Sequence, residues 1–318
     1  MASRLLALAT LACVRPLTAA FFTPLARSWK HPSTRAVLSP LASLPTSPRG
    51  VAIVTGGSGG IGFACASKLA AAGADVVLAY GHNATLAAEA CANLTSSFGV
   101  RAFSVQGDLS SDEGREATVE AIFKLVDEEL GGKVSYFVHA AGYFHDELLS
   151  HHFAGACSDF EVYDQYQSIY PKTFVSITEQ CIPRMSDEDG KIVVVSNPGC
   201  NHLQTPRVGY DMPGQGKAGM EFIVRMYAMR LSSRRICVNA VSPGYTDTKE
   251  WDKFRMAAGQ GDLRVGAEKL NERLLSRSPM KRWAAPSEIA QAICFLCSEQ
   301  SGLITGVTLP VDGGLHLT

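Results

Sequence analysis

The chain has 318 residues, 46% of them hydrophobic, which is enough to bury one large α/β core. A formal net charge of −1 leaves no basic footprint for nucleic acid, and no apolar run of 18 or more residues marks a membrane-spanning helix. The nine cysteines, an odd number without framework spacing, argue against a disulfide scaffold. Cys294 and Cys297 make a Cys-x-x-C pair inside a helical pattern. With no second pair to complete a zinc site, they read as small core residues, and no metal is expected.

Residues 1–50 contain six Lys/Arg and no acid, and the first acid of the chain is Asp75. Arg4, the apolar run from Leu5 to Val14 and Thr18-Ala19-Ala20 before Phe21-Phe22 have the layout of a signal peptide with a small-residue cleavage site. The Ser-, Pro- and Arg-rich stretch after it has transit-peptide composition. The tandem resembles the bipartite presequence of algae with complex plastids. Residues 1–48 are therefore expected to target the protein to the plastid stroma and residues 49–318 to form the domain; a plain secretory signal or a tail is the alternative. Two glycosylation sequons, at Asn83 and Asn93, are expected to stay unmodified in a plastid protein.

The domain opens with the apolar run Val51-Ala52-Ile53-Val54, followed by Thr55-Gly56-Gly57-Ser58-Gly59-Gly60-Ile61-Gly62 and an alternating small and apolar stretch. This reads as strand, tight turn and helix. Glycine there permits positive φ and close approach of the backbone to a ligand, and the free N–H groups at the helix start attract a pyrophosphate. A second strand over residues 75–80 follows in the order a dinucleotide site requires. The spacing Thr-Gly-x-x-x-Gly-x-Gly resembles the short-chain dehydrogenase/reductase family, over residues 50–318. The resemblance implies one Rossmann-type domain, an α/β doubly wound parallel sheet, with Gly56, Ser58, Gly60, Ile61 and Gly62 around the cofactor phosphates.

The second strand ends at Tyr80, where NAD-specific members usually carry an acid for the ribose hydroxyls. Without a carboxylate to repel a 2′-phosphate, and with His82 and Asn83 as hydrogen-bond donors, NADPH is expected over NADH; a simple polar turn is the bland alternative. A helix over residues 84–98, a strand over 101–106, a helix over 112–130 and a strand over 134–138 follow. In the family's pattern Asp108 and Leu109 border the adenine, and His139-Ala140-Ala141-Gly142 stands where Asn-Asn-Ala-Gly is usual. Ala141 and Gly142 match that motif and the first two positions do not.

In the second half, the helix over residues 163–185 has Tyr170 where many members carry an Asn, and Pro171 implies a kink. The strand over 191–195 ends in Ser196-Asn197. The family's catalytic Ser falls at one of these, and the usual count favours Asn197, whose amide donates to an oxygen but relays a proton poorly. Lys217 matches the catalytic Lys, yet Pro213 stands four residues before it, where the common motif has Tyr. Tyr210 stands seven before it, about two helical turns away on one face. Beside an ammonium its phenol is expected to titrate 1–3 units below the usual value of about 10. Tyr-x6-Lys with this glycine turn resembles one type of enoyl-acyl-carrier-protein reductase. A strand over 236–241 leads to Pro243, Gly244 and Thr248, which match the family's Pro-Gly turn at the nicotinamide. Residues 249–279 read as a polar insertion in which Trp251, Phe254 and Met256 either close over substrate or pin the segment to the core. Residues 305–314 resemble the last strand and terminal Asp-Gly-Gly.

The expected activity is NADPH-dependent reduction of an acyl thioester, first an enoyl group on acyl carrier protein, alternatively the carbonyl of a 3-oxoacyl group. A nucleotide-binding protein without turnover is the reading from another class. The substrate is small or carrier-bound, and the family pairs the helices over 163–185 and 216–231 into homodimers and homotetramers.

Overall fold

The computed structural model describes residues 49–142, 160–201, 204–206 and 210–318. The presequence read over residues 1–48 lies outside them. Seven strands form one parallel sheet in the order β3-β2-β1-β4-β5-β6-β7. They are β1 Arg49–Thr55, β2 Ala74–Tyr80, β3 Ala102–Gln106, β4 Val134–His139, β5 Lys191–Val195, β6 Cys237–Pro243 and β7 Thr308–Val311. Strands covered on both faces can be apolar at every position, and β4 and β5 are buried throughout.

Alternate residues feed two cores. Val51 and Ile53 point into the one that holds Phe137, Phe174, Ile177 and Val224. Ala52 and Val54 point into the other, with Leu69, Leu78, Ile289 and Ile293. The second core is roofed by α1 Gly60–Ala71, α2 Ala84–Phe98 and, further along, a helix over Pro286–Leu296. Cys294 and Cys297 are buried there, as expected of small core residues. The first core is covered by α3 Asp112–Glu128, α4 Phe160–Gln167, α5 Thr173–Cys181 and α6 Asp211–Leu231. Phe174 stacks on Phe137 at 6.2 Å; truncating so buried a ring costs on the order of 3–5 kcal/mol.

The helix expected over residues 163–185 is interrupted. Pro171 has no N–H to continue the α-helical ladder, and Ser168–Lys172 forms one π turn between α4 and α5. The Thr173 N–H reaches back five residues to the Ser168 carbonyl, which also accepts the Thr173 hydroxyl at 2.8 Å.

The insertion after β6 is more regular than its polar composition suggests. It contains α7 Asp252–Ala258 and α8 Leu263–Leu275, with α9 Pro286–Leu296 following. Asp262 caps α8 by accepting the Arg264 and Val265 N–H groups.

Candidate active site

The strand order reverses between β1 and β4, and the register aligns Thr55 with both Ala79 and His139, so three strand ends open on one cleft. The cleft is about 1940 Å³ and gathers nearly all of the residues singled out from the sequence. Gly56, Ser58, Gly60, Ile61 and Gly62 line one wall, beside Tyr80, His82 and Asn83 and then Asp108 and Leu109. Ala141 and Gly142 lie at the centre; Ser196, Asn197, Tyr210 and Lys217 line the next part, and Pro243, Gly244 and Thr248 close it.

Two glycines show why the turn takes no side chain. Gly56 has φ +66°, and a Cβ there would lie 2.8 Å from the Ala140 carbonyl oxygen. A Cβ on Gly62 would lie 2.1 Å from the Gly56 carbonyl oxygen, so α1 can start this close to the turn only without one. Gly59 caps α1 without a side chain, which leaves the first N–H groups for an anion. Asn83 spends its side-chain oxygen on the Leu86 N–H, capping α2, so only its amide NH2 and His82 remain as donors beside Tyr80. Asp108 is held below the usual carboxylate range by hydrogen bonds from Ser110.

His139 locks the centre together. Its Nε2 lies 3.0 Å from the Ile169 carbonyl, which can only accept, so Nε2 carries the proton. Nδ1 then accepts from the Thr55 hydroxyl at 2.7 Å, and Thr55 Oγ1 accepts the Ala141 N–H at 3.2 Å. The chain of bonds ties β1, β4 and the π turn at one point. Burial, reinforced by the Lys217 charge, pushes His139 down to about 3.

Lys217 is buried on α6 and donates to the carbonyls of Val195 (3.0 Å) and Ser196 (3.3 Å). Its ammonium sits 4.7 Å from the centre of the Tyr170 ring, so the residue in place of the usual Asn meets the lysine with a π face. Burial lowers Lys217 to about 8, and Cys200 and Glu221 oppose that shift. Tyr210 is the residue immediately before α6, with Pro213 in the first turn. Its hydroxyl has no hydrogen-bond partner among the described residues. The expected lowering of its pKa is corrected here: burial, and after it the neighbouring Tyr170, Cys200 and Tyr166, raise Tyr210 well above the ordinary phenol, and Lys217 does not figure among the causes. The phenol is a neutral donor.

Ser196 and Asn197, both candidates for the substrate-facing donor, differ in what they already hold. Ser196 is buried and gives its hydroxyl to Glu221, while Asn197 is half-buried and spends one amide hydrogen on the Pro198 carbonyl at 3.2 Å. Glu221 escaped the sequence reading; its signal was an acid four residues after Lys217 on the buried side of α6. The aromatic part of the insertion packs on itself and on Trp283 and also borders the cleft. Trp251 packs edge-on against Trp283 at 5.0 Å and tilted against Phe254 at 5.5 Å, while Tyr245, Trp251 and Phe254 line the cleft. Met256 is 40% exposed and does not line the cleft. Among the described residues, no cluster of His, Cys, Asp or Glu could hold a metal ion.

The family model for enoyl-(acyl carrier protein) reductase matches residues 56–316. The chain is a short-chain dehydrogenase/reductase. It is 32% identical over 283 residues to the 1-cyclohexenylcarbonyl-CoA reductase of Streptomyces collinus, covering 88% of this chain and 91% of that one. It is 31% identical over 268 residues to the 3-oxoacyl-[acyl-carrier-protein] reductase of Aquifex aeolicus, covering 83% of this chain and 96% of that one. The L-sorbose reductase of Gluconobacter frateurii, solved with NADPH and L-sorbose, superposes with a TM-score of 0.74 at 26% identity, covering 87% of this chain and 99% of that one. Members of this family are NAD(P)-dependent oxidoreductases.

Proposed function

We propose that the protein reduces the 3-oxo group of an acyl thioester with NADPH. The observation that carries this is the neutral phenol of Tyr210, without a hydrogen-bond partner among the described residues, on the same cleft as Lys217 and the glycine turn. The turn fits the cofactor: Gly56 and Gly62 pack too closely on neighbouring backbone to admit a Cβ, and no carboxylate ends β2. Gly56, Gly60 and Gly62 would hold the pyrophosphate, Tyr80, His82 and Asn83 the 2′-phosphate end, and Lys217 and Thr248 the nicotinamide end. When bound, NADPH supplies a hydride to the electrophilic carbon. Tyr210 hands its proton to the substrate oxygen as negative charge builds there, Lys217 lowers the cost of that charge, and the Asn197 amide orients the carbonyl.

The 3-oxoacyl-carrier-protein reductase and the sorbose reductase among the similar proteins support carbonyl reduction. Enoyl reduction is the second reading, favoured by the Tyr-x6-Lys spacing and the relative that acts on a cyclohexenylcarbonyl thioester. Lys249, Arg273 and Arg277 line the cleft with no ion-pair partner among the described residues. They suit a substrate whose acyl group rides on a phosphate-bearing arm, as in coenzyme A or an acyl carrier. The test is NADPH oxidation by residues 49–318 with matched 3-oxoacyl and enoyl thioesters. Faster turnover of the 3-oxoacyl series is expected; turnover of the enoyl series alone would establish the second reading, and turnover of neither would refute both.

We also propose a homo-oligomer built on α6, and action in the plastid stroma directed by residues 1–48. A fluorescent fusion of residues 1–50 tests the second; secretion of the fusion, or glycan on Asn83 or Asn93, would refute it.

A further inference from the structure

We propose that Glu221 is the buried counter-charge of Lys217, a positioning residue that keeps the lysine protonated in the working site. Glu221 is 5% exposed, and both of its oxygens are occupied by donors: Oε1 by the Ser196 hydroxyl, Oε2 by the Asn201 amide at 3.1 Å and the Thr308 hydroxyl at 2.9 Å. Such an acceptor-only set suits a carboxylate. Three separate parts of the chain, the end of β5, the loop after it and β7, spend polar groups on this one side chain. A carboxylate so placed would be costly to bury unless its charge met another.

The other charge is one turn away. Lys217 and Glu221 are four residues apart on the buried side of α6, and the Ser196 that donates its hydroxyl to Glu221 accepts from Lys217 at its carbonyl. The other described groups around the lysine offer little anionic support. Tyr170 presents a ring face from the π turn, and His139 on β4 is neutral. Cys200, in the loop after β5, is a thiol that burial pushes up to about 12, and Tyr210 is a protonated phenol. Glu221 is thus the carboxylate that offsets the burial of Lys217. The same bond takes Ser196 out of the reaction, which accounts for Asn197 as the donor left facing the cleft. The inference deepens the proposed function, because it concerns the lysine of the same site.

The test needs no substrate. NADPH affinity of the full chain is measured by fluorescence titration from pH 6.5 to 9.5, with turnover of the best thioester followed alongside. Wild-type affinity should weaken as pH rises through about 8, as Lys217 loses its proton. Glu221→Gln keeps the shape and removes the charge, and should bring that weakening about one pH unit lower, the small end of the effect of an opposite charge. Glu221→Asp should restore the wild-type profile. An unchanged profile in Glu221→Gln, accompanied only by a lower melting temperature, overturns the proposal. If Glu221→Gln does not fold, Asn201→Ala with Thr308→Val removes two donors and spares the charge. That variant should keep the wild-type profile at a lower melting temperature, and a moved profile would overturn the proposal. Absence of thioester turnover in every variant refutes the proposed function, while the binding profiles still decide the role of Glu221.

Discussion

Tyr210 and His139 show how single side chains set the chemistry of this cleft. Tyr210 lies where Tyr-x6-Lys puts it, just ahead of α6, but its proton is held by burial and not loosened by Lys217. Sequence spacing could show that the two share a helix face; it could not show that the phenol packs among Tyr166, Tyr170 and Cys200. Tyr210→Phe keeps the ring and deletes the donor, so turnover should fall by roughly 10²–10⁴-fold with NADPH affinity little changed, by stopped-flow and fluorescence titration. Full activity in that variant would place the proton source elsewhere. His139 makes a prediction about stability. Its native value is depressed to about 3, below the ordinary value of about 6.5, so the native state resists a proton that the unfolded chain accepts. Stability is whole above pH 6.5 and is lost as pH falls from there toward 3, by up to about 1.4 kcal/mol per pH unit. Urea unfolding at pH 7, 6 and 5 should show this slope. His139→Asn, which does not titrate, should flatten it, and equal slopes would mean that other groups carry the acid sensitivity.

At the scale of elements, what could be read from the sequence follows what buries both faces. β1, β4 and β5 are apolar runs because helices cover them on each side, and the glycine turn is legible because its backbone leaves no room for a Cβ. Pro171 announced a break in the helix but not its form, since a π turn also depends on the Thr173 N–H and hydroxyl meeting the same Ser168 carbonyl. The helices α7 and α8 were missed because their polar faces outnumber their buried ones; α8 buries only Gly266, Leu270 and Leu274. Yet Arg273 on α8 and Arg277 in the turn after it both line the cleft, where two like charges repel each other. An anion between them would relieve this. Replacing both with Ala should raise KM for a coenzyme A thioester by roughly 10-fold, about 1.4 kcal/mol, and leave the matching N-acetylcysteamine thioester, which has no phosphate, within 2-fold. An equal rise for both substrates would assign the two arginines to folding of the insertion.

For the whole molecule, one sheet with its reversal between β1 and β4 brings residues from Gly56 to Thr248 to a single opening. The helices over the opposite core are left with a face that no described part of the chain covers. On α6, Phe222, Met226 and Met229 are 57%, 53% and 77% exposed, at positions i, i+4 and i+7 of one stripe. Lys217 and Glu221 lie on the buried side of the same helix, so packing a second copy on the stripe would hold the site from behind. A face of three large apolar side chains is more than scattered surface hydrophobes, and a self-complementary patch of this kind favours a two-fold pair. The wild-type domain should therefore run as a dimer or tetramer in multi-angle light scattering at micromolar concentration. Phe222→Glu with Met229→Glu, two charges set where the copies would meet, should leave monomers with an unchanged circular dichroism spectrum. A wild-type monomer, or an assembly that survives both substitutions, would show that α6 is not the contact.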